Sequence, residues 1–222
     1  MKKWEIISKF KVQSSKFKIN DLVGAILQNR GIKTKKEIED FLKPKLEDVT
    51  VRSVGIDKKQ LQKAIKRIQK AIKNQEQIVV FGDYDVDGIC GTAILWETLN
   101  GLGAKVMPYI PHRIEEGYGL SVKGIQNVIL NLFQDLKMPK QVRHDTEGLI
   151  ITVDNGIVAN KAVEYANEQK IDVIITDHHV PPAGGSKKLP AAHAIIHTTK
   201  LCGAGVAYLL SQNIKYQISN IK

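Results

Sequence analysis

From Ile78 onward the sequence alternates short apolar runs with helical patterns, and few folds accept that alternation. Strands are expected at 78–82, 104–110, 149–153, 171–176 and 193–196, with helices at 89–100, 121–132, 158–169 and 203–212. The expected class is α/β: an open, mainly parallel sheet with helices on both faces. In such a sheet the carboxyl ends of the strands lie along one edge, where ligands bind.

The polar residues gather at those ends. The first strand runs into Asp83-Tyr84-Asp85-Val86-Asp87-Gly88, the third into Asp154-Asn155-Gly156, and the fourth into Asp177-His178-His179. The second runs into Pro111-His112-Arg113. Taken alone, Asp154 reads as an ordinary helix cap or turn residue. Several strand ends carrying Asp, His or Arg together read as a site.

Three carboxylates within five residues repel one another, and divalent cations are the usual reason to tolerate them. The spacing Asp83-x-Asp85-x-Asp87-Gly88 also opens a calcium-loop pattern. That loop needs a bidentate Glu at its twelfth position, which here is Ile94. A strand rather than a helix precedes it, so the calcium loop is rejected. Carboxylate and imidazole without thiolate favour Mn²⁺, Mg²⁺, Fe²⁺ or Zn²⁺. A pair of such ions sharing a carboxylate fits hydrolysis of a phosphate ester. A histidine such as His179 is placed to donate a hydrogen bond to the charge that develops.

Charge divides the chain unevenly. The net charge is +10, yet residues 1–75 hold 20 Lys+Arg against 8 Asp+Glu, and residues 76–222 hold 13 against 15. A basic first third beside a carboxylate-rich remainder suits a polyanionic substrate, although solvated lysine-rich helix faces give the same balance. Two cysteines, Cys90 and Cys202, make neither a disulfide framework nor a zinc site. No apolar run reaches the ~20 residues of a membrane span, and the N-terminus is charged. A cytoplasmic location is expected.

Residues 1–55 read as a basic N-terminal appendage with a linker, and 56–222 as the α/β domain. Residues 1–18 are basic with scattered aromatics. Asn20 is expected to cap a helix to Asn29 stopped by Gly31, and Thr34-x-x-Glu37 opens a second helix through Leu42. Asp57-x-x-Gln60 is another capping-box pattern, and the helix that follows carries Lys58, Lys59, Lys63, Lys66, Arg67, Lys70 and Lys73 on an expected basic outer face. Residues 133–147 read as an exposed loop.

The segments Phe81–Gly88, Val153-Asp154-Asn155-Gly156-Ile157 and Thr176-Asp177-His178-His179 resemble three motifs of the DHH phosphoesterase family. Arg113-x-x-x-Gly117-Tyr118-Gly119-Leu120 and Leu201-Cys202-Gly203-Ala204-Gly205-Val206-Ala207 resemble its RecJ-type single-stranded-DNA-specific exonucleases. The resemblance covers roughly residues 20–210. It implies 5′-to-3′ exonuclease action on single-stranded DNA in repair and recombination, with a Mn²⁺ or Mg²⁺ pair. Asp85, Asp87, Asp154 and His178 would be ligands, Asp154 the bridge, and Asp83 a ligand or close neighbour. His179 would contact the scissile phosphate and Asp177 would orient the histidines. Arg113 and Tyr118 would hold the strand or its 5′ end. A monomer is expected, with a single-strand-binding protein or helicase as possible partners.

The chain departs from that family in two places. No acidic residue follows Asp177, where the family's fourth motif supplies another metal-binding Asp, and Ile195–Lys200 replaces a longer loop containing Asn-Pro. The family's second domain has no counterpart. The expectation is therefore a truncated form with impaired activity. The competing readings are a catalytically inactive nucleic-acid-binding fragment and a phosphodiesterase of oligoribonucleotides or cyclic dinucleotides.

Overall fold

The computed structural model describes residues 19–133, 148–181 and 189–219. The basic stretch 1–18 and all but the first residue of the expected loop 133–147 lie outside the described residues. The chain divides into two compact units, Met1–Val49 and Thr50–Lys222.

In the first unit, helix α1 (Ile19–Asn29) ends at Gly31, whose φ of +84° only glycine adopts without strain. The Gly31 amide donates to the Gln28 carbonyl and the Ile32 amide to the Leu27 carbonyl, closing the helix. Asn20 does not cap this helix, because the helical turn already includes Ile19. Helix α2 (Lys35–Leu42) opens on the expected capping box, with Thr34 and Glu37 each bonding the other's backbone.

In the second unit, helix α3 (Lys58–Lys73) is capped by Asp57, which accepts from the Lys59 and Gln60 amides. The reciprocal half of that box is not made. Gln60 Oε1 instead accepts from the Ile195 amide, 3.0 Å away on an edge strand of the sheet. Removing this acceptor leaves a half-buried N–H unpaired, so Gln60→Ala is expected to cost about 1–2 kcal/mol. A urea midpoint unchanged from the parent chain would contradict that bracing role.

The sheet contains β1 (Gln77–Gly82), β2 (Val106–Tyr109), β3 (Gly148–Val153), β4 (Ile171–Asp177) and β5 (Ala194–His197). Its order is β2-β1-β3-β4-β5, every pair parallel. β2 is shorter than expected. It lies at an edge, which is where a strand can hold Pro108 without losing a ladder bond. Val79, Phe81, Ile150, Val173 and Ile175 pack on one face with Ile125 and Val128 of α6 (Val122–Val128) and Val163 and Ala166 of α7 (Asn160–Glu168). The opposite face is covered by α3, α4 (Val86–Gly101) and α8 (Gly203–Ser219). Gly91 of α4 has no room for a Cβ, which would lie 2.6 Å from Val153 Cγ1. The same Cβ would lie 3.2 Å from the Ala204 Cα of α8, so α4 runs close to both β3 and α8.

Four expected helices change length, α7 by shortening from 158–169 to Asn160–Glu168. α4 starts at Val86, capped by Asp85 through the Gly88 amide at 2.9 Å, so Asp87 falls in its first turn. α6 stops at Val128 and widens into a π-turn over Ile129–Phe133. α8 continues to Ser219. Arg67 is not part of a basic outer face: it is 5% exposed, with Nη2 2.6 Å from Glu76 and Nε 2.5 Å from Asp172.

Candidate metal centre

Strand order reverses between β1 and β3, and their last residues are register partners: Gly82 pairs with Val153, and Val153 with Thr176 on β4. The ladder continues one step past the strands. The Asp83 amide donates to the Val153 carbonyl at 3.2 Å and the Asp154 amide to the Thr176 carbonyl at 2.9 Å. Asp83, Asp154 and Asp177 thereby become neighbours although 94 positions separate the outer two. This is the crevice where open α/β sheets bind ligands.

Asp154 sits at the centre. Its φ is +63°, an uncommon conformation for a residue with a side chain, held by buried neighbours. The Asn155 Nδ2 donates to the Val153 carbonyl at 2.9 Å, and Thr152 Oγ1 donates to the Asn155 carbonyl at 2.7 Å. Gly156, at φ +111°, completes the turn. Asp154 joins two groups of potential ligand atoms: one with His178 and His179, the other with Asp83 and Asp85. His178 Nε2 lies 3.1 Å from Asp154 Oδ1. Burial, followed by the negative charges of Asp87 and Asp85, pushes the Asp154 carboxyl up to about 7.

Asp177 is buried and saturated. It accepts from the Ile157 amide at 2.9 Å, the His178 amide at 2.7 Å and the His179 amide at 3.1 Å. Its Oδ1 also meets His179 Nδ1 at 2.8 Å, which leaves Nε2 as the ring nitrogen of His179 not engaged by Asp177. Burial lowers the His179 pKa, but the Asp177 bond outweighs it, and the net shift is upward. His197 Nε2 reaches the His179 carbonyl at 2.7 Å, so the edge strand also pins this turn.

Asp87 stands apart from both ligand groups. Its Oδ2 accepts from the Gly203 amide at 2.5 Å and its Oδ1 from the Ala204 amide at 2.7 Å. Burial raises its pKa, and the bonds from Ala204, Cys202 and Gly203 reverse that, holding it below the ordinary aspartate value. Among the other site residues it approaches His178, whose Nε2 lies 3.7 Å from Oδ2.

Arg113 opens the short helix α5 (Arg113–Glu116) and Tyr118 lies on the loop that follows it; both flank the centre. Glu116 anchors that loop, accepting from the Tyr109 hydroxyl at 2.6 Å and the His112 amide at 3.0 Å. Tyr118 is exposed, and burial of its hydroxyl beside the Asp83 carboxylate pushes its pKa up. The sequence reading did not single out Tyr84, whose ring lies 4.6 Å beneath the Arg113 guanidinium and edge-on to Tyr118 at 6.2 Å. It also gave no site role to His197 or to the Gly203 and Ala204 amides. Tyr84 carried a signal, lying between two of the clustered aspartates. His112 is exposed and belongs to neither ligand group.

The donor set fits a hard or intermediate divalent cation. Asp83 Oδ2 and Asp154 Oδ1 are buried without a hydrogen bond, and the remaining donors are carboxylate oxygen and imidazole nitrogen. Fold and centre together define a parallel α/β domain with an acidic, histidine-bearing cluster able to hold a metal at its switch point. The model of the DHH family, N-terminal domain, matches residues 77–222, and the chain belongs to that family.

The single-stranded-DNA-specific exonuclease RecJ of Bacillus subtilis (strain 168) is 35% identical over 222 residues, covering 94% of this chain and 26% of that protein. The Thermus thermophilus protein of the same name is 36% identical over 159 residues, covering 68% and 21%. The chain thus spans about a quarter of the length of these relatives. Among solved structures, an exonuclease RecJ bound to manganese matches with a TM-score of 0.58 and 34% identity, over 72% of this chain and 38% of that one. RecJ in complex with Mn²⁺ from Thermus thermophilus also gives 0.58, at 29% identity over 87% and 24%. Among the described residues, no helix is long and apolar enough to cross a membrane.

Proposed function

We propose that this chain carries the phosphodiester-cleaving centre of a RecJ-type exonuclease that removes nucleotides from single-stranded DNA in the 5′-to-3′ direction. The observation that carries the reading is Asp154, buried, strained and common to two groups of ligand atoms. Asp83, Asp85 and Asp154 would hold one Mn²⁺ or Mg²⁺, and Asp154 with His178 a second, with Asp87 completing the set at its edge. When bound, such a pair acidifies water and offsets charge on phosphoryl oxygens.

The chain's own residues do the rest. Asp177 fixes the His179 ring so that its Nε2 donates to a phosphoryl oxygen. Arg113 is preorganised by Tyr84 and offers a bidentate donor for a backbone phosphate. Tyr118 presents an exposed ring for stacking against a base or sugar. In the cell this reading implies a role in DNA repair and recombination, possible cooperation with a single-strand-binding protein or helicase, and a cytoplasmic location.

The test is release of nucleotides from 5′-labelled single-stranded DNA with Mn²⁺ and with chelator. The expected result is Mn²⁺-dependent release, lowered by at least about 10–100-fold in Arg113→Ala. Salt-sensitive DNA binding without cleavage would make the chain a binding module. Cleavage confined to short oligoribonucleotides or cyclic dinucleotides would make it a small-substrate phosphodiesterase.

A further inference from the structure

We infer that the first turn of α8 is a positioning device for the metal centre, with Gly203 as its key residue. This rests on the reading of the carboxylate cluster as a metal site. Two independent contacts meet at this one residue. Its amide donates to Asp87 Oδ2 at 2.5 Å, and the next amide, of Ala204, donates to Asp87 Oδ1 at 2.7 Å. On its other side Gly203 abuts Asp154. A Cβ added there would overlap Asp154 Oδ1 and lie 2.6 Å from the Asp154 Cβ and Cγ.

Those approaches are far inside van der Waals contact, and both Gly203 and Asp154 are buried. Asp154 cannot give way easily, because its own backbone is held at φ +63° by the bonds of Thr152 and Asn155. Glycine at 203 therefore sets the approach of α8 to β3. Because both oxygens of Asp87 are tied to the same turn, that approach also sets the separation of Asp87 from Asp154. The amides at the start of a 17-residue helix are donors with no partner inside the helix, and they stabilise an anion there. Hydrogen bonds of this kind orient ligating carboxylates, and their loss typically lowers metal affinity about 10–100-fold. α8 also packs against α4, which carries Asp87, so the clamp closes a loop between two helices that both face the sheet.

The experiment is Mn²⁺ binding to the 222-residue chain by calorimetry, with no substrate, for the parent, Gly203→Ala and Gly101→Ala. Gly101 is also a helical glycine but has open space where a Cβ would go. Gly203→Ala is expected to raise the Mn²⁺ concentration for half-saturation about 10–100-fold, with Gly101→Ala within about twofold of the parent. A folded Gly203→Ala chain that binds like the parent overturns the inference and leaves the metal site standing. A parent chain that binds no Mn²⁺ overturns both.

Should Gly203→Ala fail to fold, the parent decides by amide NMR under Mg²⁺. Resonances of Gly203 and Ala204 are expected to shift in step with saturation, because the carboxylate they donate to changes its charge environment. Saturation at the site with those two resonances unmoved would overturn the clamp.

Discussion

Asp154→Asn is expected to abolish Mn²⁺ binding and to make the metal-free chain more stable at pH 8. Asparagine suits the exchange because it keeps the shape of the side chain and tolerates the +63° φ that alanine would strain. Loss of the carboxylate shared by both ligand groups should lower Mn²⁺-dependent nucleotide release by more than the ~100-fold seen for outer-sphere partners. The stability effect has the opposite sign. Burial and the charges of Asp87 and Asp85 raise the Asp154 carboxyl from 3.8 to about 7. Between roughly pH 4 and 7 the native metal-free chain therefore holds a proton that the unfolded chain has released. Stability contributed here falls as pH rises through that window and is level above it. Asp154→Asn removes this slope. The gain at pH 8 is on the order of 1–3 kcal/mol, because neighbouring carboxylates titrate together and share the shift. Urea unfolding in chelator at pH 5 and pH 8 reads it directly. Equal loss of stability at both values would mean that Asp154 acts as a structural cap and not as a buried carboxyl that holds a proton.

Arg67→Ala is the second large effect, and it concerns the opposite end of the sheet. Arg67 is buried between Glu76 and Asp172, with Nη2 also 3.4 Å from the Gly148 carbonyl. Glu76 is itself 9% exposed, so removing the guanidinium strands a buried carboxylate. Breaking one side of such a pair costs about 3–5 kcal/mol. For a chain of this size that lowers Tm by roughly 6–20 °C. Arg67→Met combined with Glu76→Gln should recover most of the loss, since an apolar group and a neutral amide need no counter-charge. A single variant that melts within about 2 °C of the parent would show that water reaches Glu76 and that the ion pairs contribute little.

The two variants also separate stability from function. Arg67 joins α3 to β4 where the strands begin, whereas Asp154 lies beyond the carboxyl ends. Arg67→Ala should leave Mn²⁺ affinity of the folded fraction unchanged. Asp154→Asn should remove that affinity from a chain that stays folded.

Much of this architecture was legible without coordinates because its signals are local. A run such as Ile78–Phe81 reads as a buried strand, and Thr34-x-x-Glu37 or Asp57 before an apolar-periodic segment reads as a helix start. Alternation of the two predicts parallel pairing, and parallel pairing brings Asp83, Asp154 and Asp177 to one edge. The opening cluster Asp83-x-Asp85-x-Asp87 was legible as a group for the same reason. Its three members nevertheless have different surroundings: Asp83 is buried beside Asp154, Asp85 caps α4, and Asp87 turns to α8.

That division of labour depends on contacts between residues far apart in the chain. Arg67 meets Asp172 across 105 positions, Gln60 meets Ile195 across 135, and Asp87 meets Gly203 across 116. Local periodicity says that a residue lies on a helix and which side is apolar. It carries no information about which distant backbone amide will face a given polar atom, since that follows from strand order, register and the closeness of two helices. Local pattern is enough to specify the elements, the parallel sheet and the edge at which the carboxylates collect. Packing between distant segments is what buries Arg67, sets Gln60 against an edge strand, and lets a glycine 49 positions beyond Asp154 govern how closely two of those carboxylates approach.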